Sequence, residues 1–291
     1  MGDGNGPQVK RERSAIRCAL GDTLHPGALP MPDRRSPAPP MGNRVRRVGD
    51  RLCKQQDPAV AAVEADKSRR ARAIGEESGL FRVPPLVEED RAAGRLVFAW
   101  IPDLRPLQHA LADDGWEALC DRAATALRAV HEALRPDPAL RRDHSLAGAP
   151  GTVPIAALHG DFSPSNVLVQ AGTGDLWIID WAGASWLDPR LTHGPISIDL
   201  ATFVLPLFWQ RPRDPWRIPA PARRARRFLE AYADGAADTL DLRAVGAHCI
   251  ELQERLLPEA RRHVSRPGAL ARWPLVARSR WFFRRLPEPH G

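Results

Sequence analysis

One segment limits what this chain can become: Leu158–Trp181, LHGDFSPSNVLVQAGTGDLWIIDW. NVLVQ alternates and is β-branched, AGTGD is a turn signal, and LWIID is a second apolar run. The pattern predicts a β-hairpin. It also sets His159, Asp161, Asn166 and Asp180 in or beside apolar runs that belong in a core. A turn centred near Thr173 is expected to bring Asn166 and Asp180 face to face at the open end. An amide oxygen and a carboxylate there suit a hard cation such as Mg²⁺, which takes oxygen ligands and keeps several waters, so that two protein ligands suffice. Either group buried without a partner would be costly. Asp161 lies in the loop that leads into the hairpin, five residues before Asn166. From there its carboxylate reaches the space beside the metal without ligating it, as a general base would. Singly, each residue suits an ordinary turn or strand end. Together they point to phosphoryl transfer, where positioning and charge neutralisation supply most of the catalysis.

Composition narrows the alternatives. The chain of 291 residues implies one or two packed lobes, and 43% apolar residues suffice for a sizeable core. Cys18, Cys53, Cys120 and Cys249 lie far apart, form no metal spacing and read as reduced thiols of a cytoplasmic protein. No secretory signal is read at the N-terminus. The longest apolar run, ISIDLATFVLPLFW, is broken by Asp199 and Pro206 and is too short for a membrane span, so no membrane partner is expected. The net charge of +7 invites a nucleic-acid reading, yet only Lys10, Lys54 and Lys67 among the 42 basic residues are lysines. So strong an arginine bias reads as the composition of a GC-rich genome rather than a phosphate-binding surface.

Residues 1–41, rich in Gly and Pro, read as an irregular arm. NRVRRV and RLCKQ, joined by Gly49-Asp50, predict a hairpin; AVAAVEADKSRRARAIGEESG predicts a helix stopped by Gly79. FRVPPLVEED and RLVFAWIP predict a second strand pair, with a lobe boundary at Ile101-Pro102-Asp103. Further helices are expected from Trp116 to Leu134, then at 199–209, 222–235 and 241–262, with a last packing helix near the C-terminus.

HGDFSPSN followed by IIDW resembles the aminoglycoside phosphotransferase family of small-molecule kinases, which share the protein-kinase-like fold; the likeness covers residues 42–235. It implies an α+β, two-lobed architecture. A small antiparallel-sheet lobe at 42–101 would bind nucleotide, and a larger, mostly helical lobe at 102–291 would hold the catalytic loop and acceptor site. By this resemblance Asp161 is the catalytic base, Asn166 and Asp180 bind Mg²⁺, His159 supports the loop and Gly160 permits its bend. Lys54 takes the place of the lysine that pairs ATP phosphates, Glu64 is its ion-pair partner, and Ala99 to Ile101 meet the adenine through backbone groups. Asp199 buttresses the catalytic loop. The glycine-rich loop of kinases is reduced here to PPMGNRV, with Gly42 and Asn43 as its remnant.

The implied protein is a cytoplasmic phosphotransferase that moves the γ-phosphoryl group of ATP, or GTP, to a hydroxyl of a small molecule. A protein kinase would use the same residues, but more usually shows HRD, DFG and a later Ala-Pro-Glu; this chain has His159-Gly160-Asp161 and Asp180-Trp181-Ala182. A catalytically weak pseudokinase or binding protein is the other alternative. The sequence does not name the acceptor. Asp188 could face a cationic one, although a solvated turn is the better reading of its surroundings.

Overall fold

The computed structural model describes residues 44–144, 154–185, 187–209, 219–234, 240–263 and 276–286. The N-terminal arm, with Gly42 and Asn43, lies outside these residues. Strands β1 (Arg44–Val48) and β2 (Arg51–Gln55) form the first hairpin, turning at Gly49, whose φ is +62°. With β3 (Leu86–Asp90) and β4 (Arg95–Ala99) they build an antiparallel sheet of order β1-β2-β4-β3. Helix α1 (Pro58–Ser78) packs on it, Ala61 and Ala65 lying against Leu96 and Phe98. The helix starts where Pro58 fits its first turn and the Asp57 carboxylate accepts the Ala59 and Val60 N–H groups. It stops at Gly79, in left-handed conformation. The buried stripe of α1 runs through Val60, Val63, Glu64, Lys67, Ala71 and Gly75, so two charged residues sit among apolar ones at helical spacing. Gly75 has no room for a side chain: a Cβ would lie 2.4 Å from the Phe81 carbonyl oxygen.

A second, three-stranded sheet has the order β5-β7-β8, with β5 at Leu104–Pro106, β7 at Val167–Gln170 and β8 at Leu176–Ile178. The short helix α2 (Leu107–Ala110) continues directly from β5. Strands β6 (Ile155–Ala157) and β9 (His193–Pro195) pair separately. Helix α3 (Trp116–Ala133) buries Ala123, Ala124, Leu127 and Val130 completely. Around it lie α4 (Ser197–Trp209), α5 (Pro219–Ala233) and α6 (Leu242–His263), with helical turns at 276–284. Phe203 of α4 stacks on Phe228 of α5 with ring centroids 3.7 Å apart, and Phe162 stacks beside both. One continuous apolar core joins Ala71 of α1, the inner faces of the β7–β8 hairpin and helices α3 to α6. No helix among the described residues is long and apolar enough to cross a membrane.

The expected hairpin at 166–180 forms, but its register differs by one residue from the sequence reading. Val167 pairs with Ile178 and Leu168 with Trp177, and the Ile179 N–H donates to the Asn166 carbonyl at 3.0 Å. Asn166 therefore faces Ile179, not Asp180. The cause is the loop: Gln170 closes against Asp175, and Gly172 (φ +86°) and Gly174 (φ +73°) move the turn half a residue toward the N-terminus.

Candidate active site

What strand register does not do for Asp180, its backbone does. Asp180 lies beyond β8 and has φ +60°, the left-handed region that a non-glycine residue occupies at a cost. The chain thereby leaves the pleat. The Asp180 Oδ1 accepts from the Lys54 Nζ at 2.7 Å, and the same ammonium donates to Glu64 Oε1 at 2.8 Å. Lys54 is buried on β2 between two carboxylates, one from α1 and one from the end of the hairpin. Burial alone would lower its pKa, but Glu64 and Asp180 outweigh that and raise it, so it stays an ammonium. The Gln56 amide donates to the other Glu64 oxygen at 2.6 Å and fixes that carboxylate.

Asp161 and Asn166 meet across the loop that leads into the β7–β8 hairpin. The Asn166 Nδ2 donates to the Asp161 Oδ2 at 3.0 Å and to its carbonyl at 2.9 Å. This use of the amide nitrogen leaves the Asn166 Oδ1 as the acceptor available to a ligand. Burial first, and then the Asp180 charge, push the Asp161 carboxyl up to about 7, against the Asn166 hydrogen bond. Such a carboxylate is a far better proton acceptor at neutral pH than an ordinary aspartate.

Behind these groups the loop is tied to the core. Asp161 is followed by Phe162 and Asp180 by Trp181, both almost wholly buried. The His159 ring lies between them, 4.5 Å from Trp181 and 5.7 Å edge-on to Phe162. Its Nε2 donates to the Ile179 carbonyl at 3.1 Å and its Nδ1 accepts the Asp161 N–H at 3.2 Å, so the neutral Nε2–H tautomer fits both partners. Gly160 has φ +87°, and a Cβ there would lie 3.0 Å from the Gly183 Cα, so the bend and the close approach both call for glycine. Asp199, at the start of α4, accepts the backbone N–H groups of His159 (2.7 Å) and Gly160 (2.8 Å) and pairs with His131 Nε2 at 3.1 Å. The other His131 ring nitrogen bonds the Tyr232 hydroxyl at 2.7 Å.

Burial, the largest cause, lowers the pKa of His159 to about 4. Neutral His159 therefore contributes stability that is complete above pH 6.5 and is lost as pH falls toward 4, because the unfolded chain binds the proton first. The expected size is about 3 kcal/mol. The raised pKa of Asp161 acts oppositely as pH falls below 7, so the effect is isolated by difference. Between pH 6.5 and 4, the stability of His159→Gln relative to wild type should shift by that amount in the variant's favour, read from urea midpoints at each pH.

The structure thus joins Lys54, Glu64 and Asp180 by direct bonds, joins Asp161 to Asn166, and couples Asp161 to Asp180 through their charges. Ala99 and Ile101 lie where the sheet ends. The Ala99 N–H is taken by the Pro85 carbonyl and that of Trp100 by Asp50, whereas the Ile101 N–H has no protein acceptor among the described residues. Gly42 and Asn43 lie outside the described residues. Asp188 is held by Arg142 at 3.0 Å and by the Arg190 N–H at 2.9 Å, and so is committed to its own turn. Two residues of this neighbourhood went unread in the sequence as parts of a site: His131, an unremarkable member of an amphipathic helix, and Lys67. The signal for Lys67 was present, since a lysine stands on the apolar stripe of α1.

No curated protein matches the sequence. Among solved structures, choline kinase LicA from Streptococcus pneumoniae superposes with a TM-score of 0.51 at 13% identity, over 82% of this chain and 89% of that one. LicA in complex with AMP gives 0.50 at 13% identity, over 96% of this chain and 100% of that one. A choline/ethanolamine kinase family protein from Mesorhizobium loti gives 0.48 at 17% identity, over 94% and 99% of the two chains. The LicA structures show that the fold is kinase-like, an antiparallel sheet with one helix followed by a helical part. A family model described as "Phosphotransferase enzyme family" matches residues 99–249. Since that match spans more than half of the sequence and contains the Asp161–Asp180 segment, the chain belongs to the phosphotransferase enzyme family.

Proposed function

We propose that this phosphotransferase moves the γ-phosphoryl group of ATP, or GTP, to a hydroxyl of a small molecule in a Mg²⁺-dependent reaction. The observation that carries the reading is Lys54 held between Glu64 and Asp180, with the Asp161–Asn166 pair beside it. Lys54 is fixed as an ammonium that can pair phosphate oxygens. Asp161 takes the proton from the attacking hydroxyl, oriented for it by the Asn166 amide. Phosphoryl transfer needs little covalent chemistry from the protein, so a positioned base and fixed charges are the main requirement.

The residues present fit a hard divalent cation. Among the described residues no cluster of three or more His, Cys, Asp or Glu side chains forms a metal site. Mg²⁺ needs none, since it uses one or two protein oxygens and keeps water and phosphate for the rest. The Asp180 carboxylate and the Asn166 Oδ1 would hold it. When bound, the ion supplies charge neutralisation at the phosphate oxygens. Asp180 is among the charges that raise the Asp161 carboxyl, so a cation held beside Asp180 would relieve that repulsion.

The test is nucleotide turnover with Mg²⁺ across a panel of hydroxyl acceptors: amino alcohols, sugars, aminoglycosides and nucleosides. Turnover with at least one acceptor, lost on chelation with EDTA, is expected. No turnover, together with no Mg²⁺-dependent rise in Tm with ATP, would leave a non-catalytic role and sink this reading.

A further inference from the structure

Lys67 is one of three lysines in the chain and is completely buried. Its Nζ donates to the His159 carbonyl at 2.7 Å and to the Leu191 carbonyl at 3.2 Å. His159 opens the loop that carries Asp161, and Leu191 closes the segment that runs on from Asp180. No other hydrogen bond to either carbonyl is present among the described residues outside strand pairing. Glu64 lies one turn earlier on the same buried stripe of α1 and holds Lys54. One helix thus touches Lys54 with one side chain and the backbone of the Asp161 loop with the next.

An ammonium is an expensive group to bury. Burial, the leading cause, pulls Lys67 down to about 8, while Asp199, Glu64, Asp180 and Asp161 hold it up. His159, neutral, and His193 also feel its charge. At neutral pH it remains an ammonium, with its N–H groups directed at backbone oxygens. Methionine would fill the stripe at lower cost, so packing alone does not call for lysine here.

We propose that Lys67 is a positioning residue for phosphoryl transfer: from α1 it fixes the backbone of the catalytic loop at His159, two residues before Asp161. This rests on the function proposed above. Its action is geometric, since a loop free to move by about 1 Å costs on the order of 100-fold in rate. The helix that sets Lys54 through Glu64 then also sets the base, so the phosphate site and the proton acceptor are held by one rigid element.

The test compares wild type with Lys67→Met in the full chain, using Mg²⁺–ATP with water or the panel acceptors. Three readouts are taken: kcat and KM for ATP, hydrogen exchange of the peptide Leu158–Asn166, and Tm. The expected result for the variant is a kcat lower by about 10–100-fold, a KM for ATP within about threefold, faster exchange in that peptide with α3 unchanged, and a Tm within a few degrees. An unchanged kcat, or unchanged exchange at 158–166, overturns the role of Lys67. A large fall in Tm with exchange rising throughout assigns the residue to stability and also overturns it. Wild type without any turnover overturns the function itself, and is distinguished from a failure of Lys67 because the variant is then not needed to see it. If the methionine variant does not fold, Lys67→Leu, which likewise offers no donor, is read the same way.

Discussion

Replacing Asp161 with asparagine should lower kcat for phosphoryl transfer by about 10²–10⁴-fold, the usual contribution of a positioned general base, the role proposed for it. The expected change in KM for ATP is small, because Lys54 and Glu64, proposed above to hold the phosphate end, do not bond Asp161. Asparagine keeps the shape but cannot take a proton, and its carbonyl can still accept from Asn166. Tm should hold or rise, since the substitution removes a carboxylate that burial and Asp180 already disfavour. Steady-state kinetics beside thermal unfolding separate these effects. An equal loss of kcat and of folded protein would mean that Asp161 is part of the frame, and a near-normal kcat would move the base elsewhere.

The largest stability effect is expected at Asp199. Its carboxylate is fully buried and receives the N–H groups of His159 and Gly160 together with His131. Burial opposes its ionisation, but these partners prevail and hold its pKa below the ordinary carboxylate range. Asp199→Ala leaves two buried backbone donors and one imidazole nitrogen without a partner, for a loss of about 3–5 kcal/mol. Urea unfolding at pH 7 measures it. Asp199→Asn, which retains one acceptor, should lose less, and both variants should lose activity by releasing the loop that carries Asp161. A loss below about 1 kcal/mol for the alanine variant would mean that the loop holds itself in place.

Much of this fold was legible because its signals are local. Asp57-Pro58 and Gly79 bracket α1, and Gly49-Asp50 marks the first hairpin. The Lys54–Glu64 pair could be named in advance from the family likeness alone, whereas the bond from Lys54 to Asp180, 126 residues away in sequence, was not read. The hairpin register was missed because two glycines in the loop admit more than one turn, and a half-residue shift alters every pair. That error did not carry to the site, since Asp180 is aimed by its own left-handed backbone and by Lys54 rather than by cross-strand pairing. The links from Lys67 to Leu191, from His131 to Asp199 and from Asp188 to Arg142 join distant segments by single side-chain bonds, which leave no periodic trace in the sequence. Strands β6 and β9, three residues each, were likewise too short to show a pattern.

The two acidic residues of the site are each joined by a peptide bond to a ring sunk in the interior, Phe162 after Asp161 and Trp181 after Asp180, with His159 wedged between the rings. Phe162 in turn stacks beside Phe203 and Phe228 of the helical core. The distance between the two carboxylates therefore depends on how aromatic rings pack as well as on the hydrogen bonds that Lys54 and Asn166 make to them. A molten interior that kept every helix would lose that spacing first. Retained helicity would then say nothing about competence, and the near-ultraviolet signal of these rings is the spectroscopic property tied most directly to an intact site.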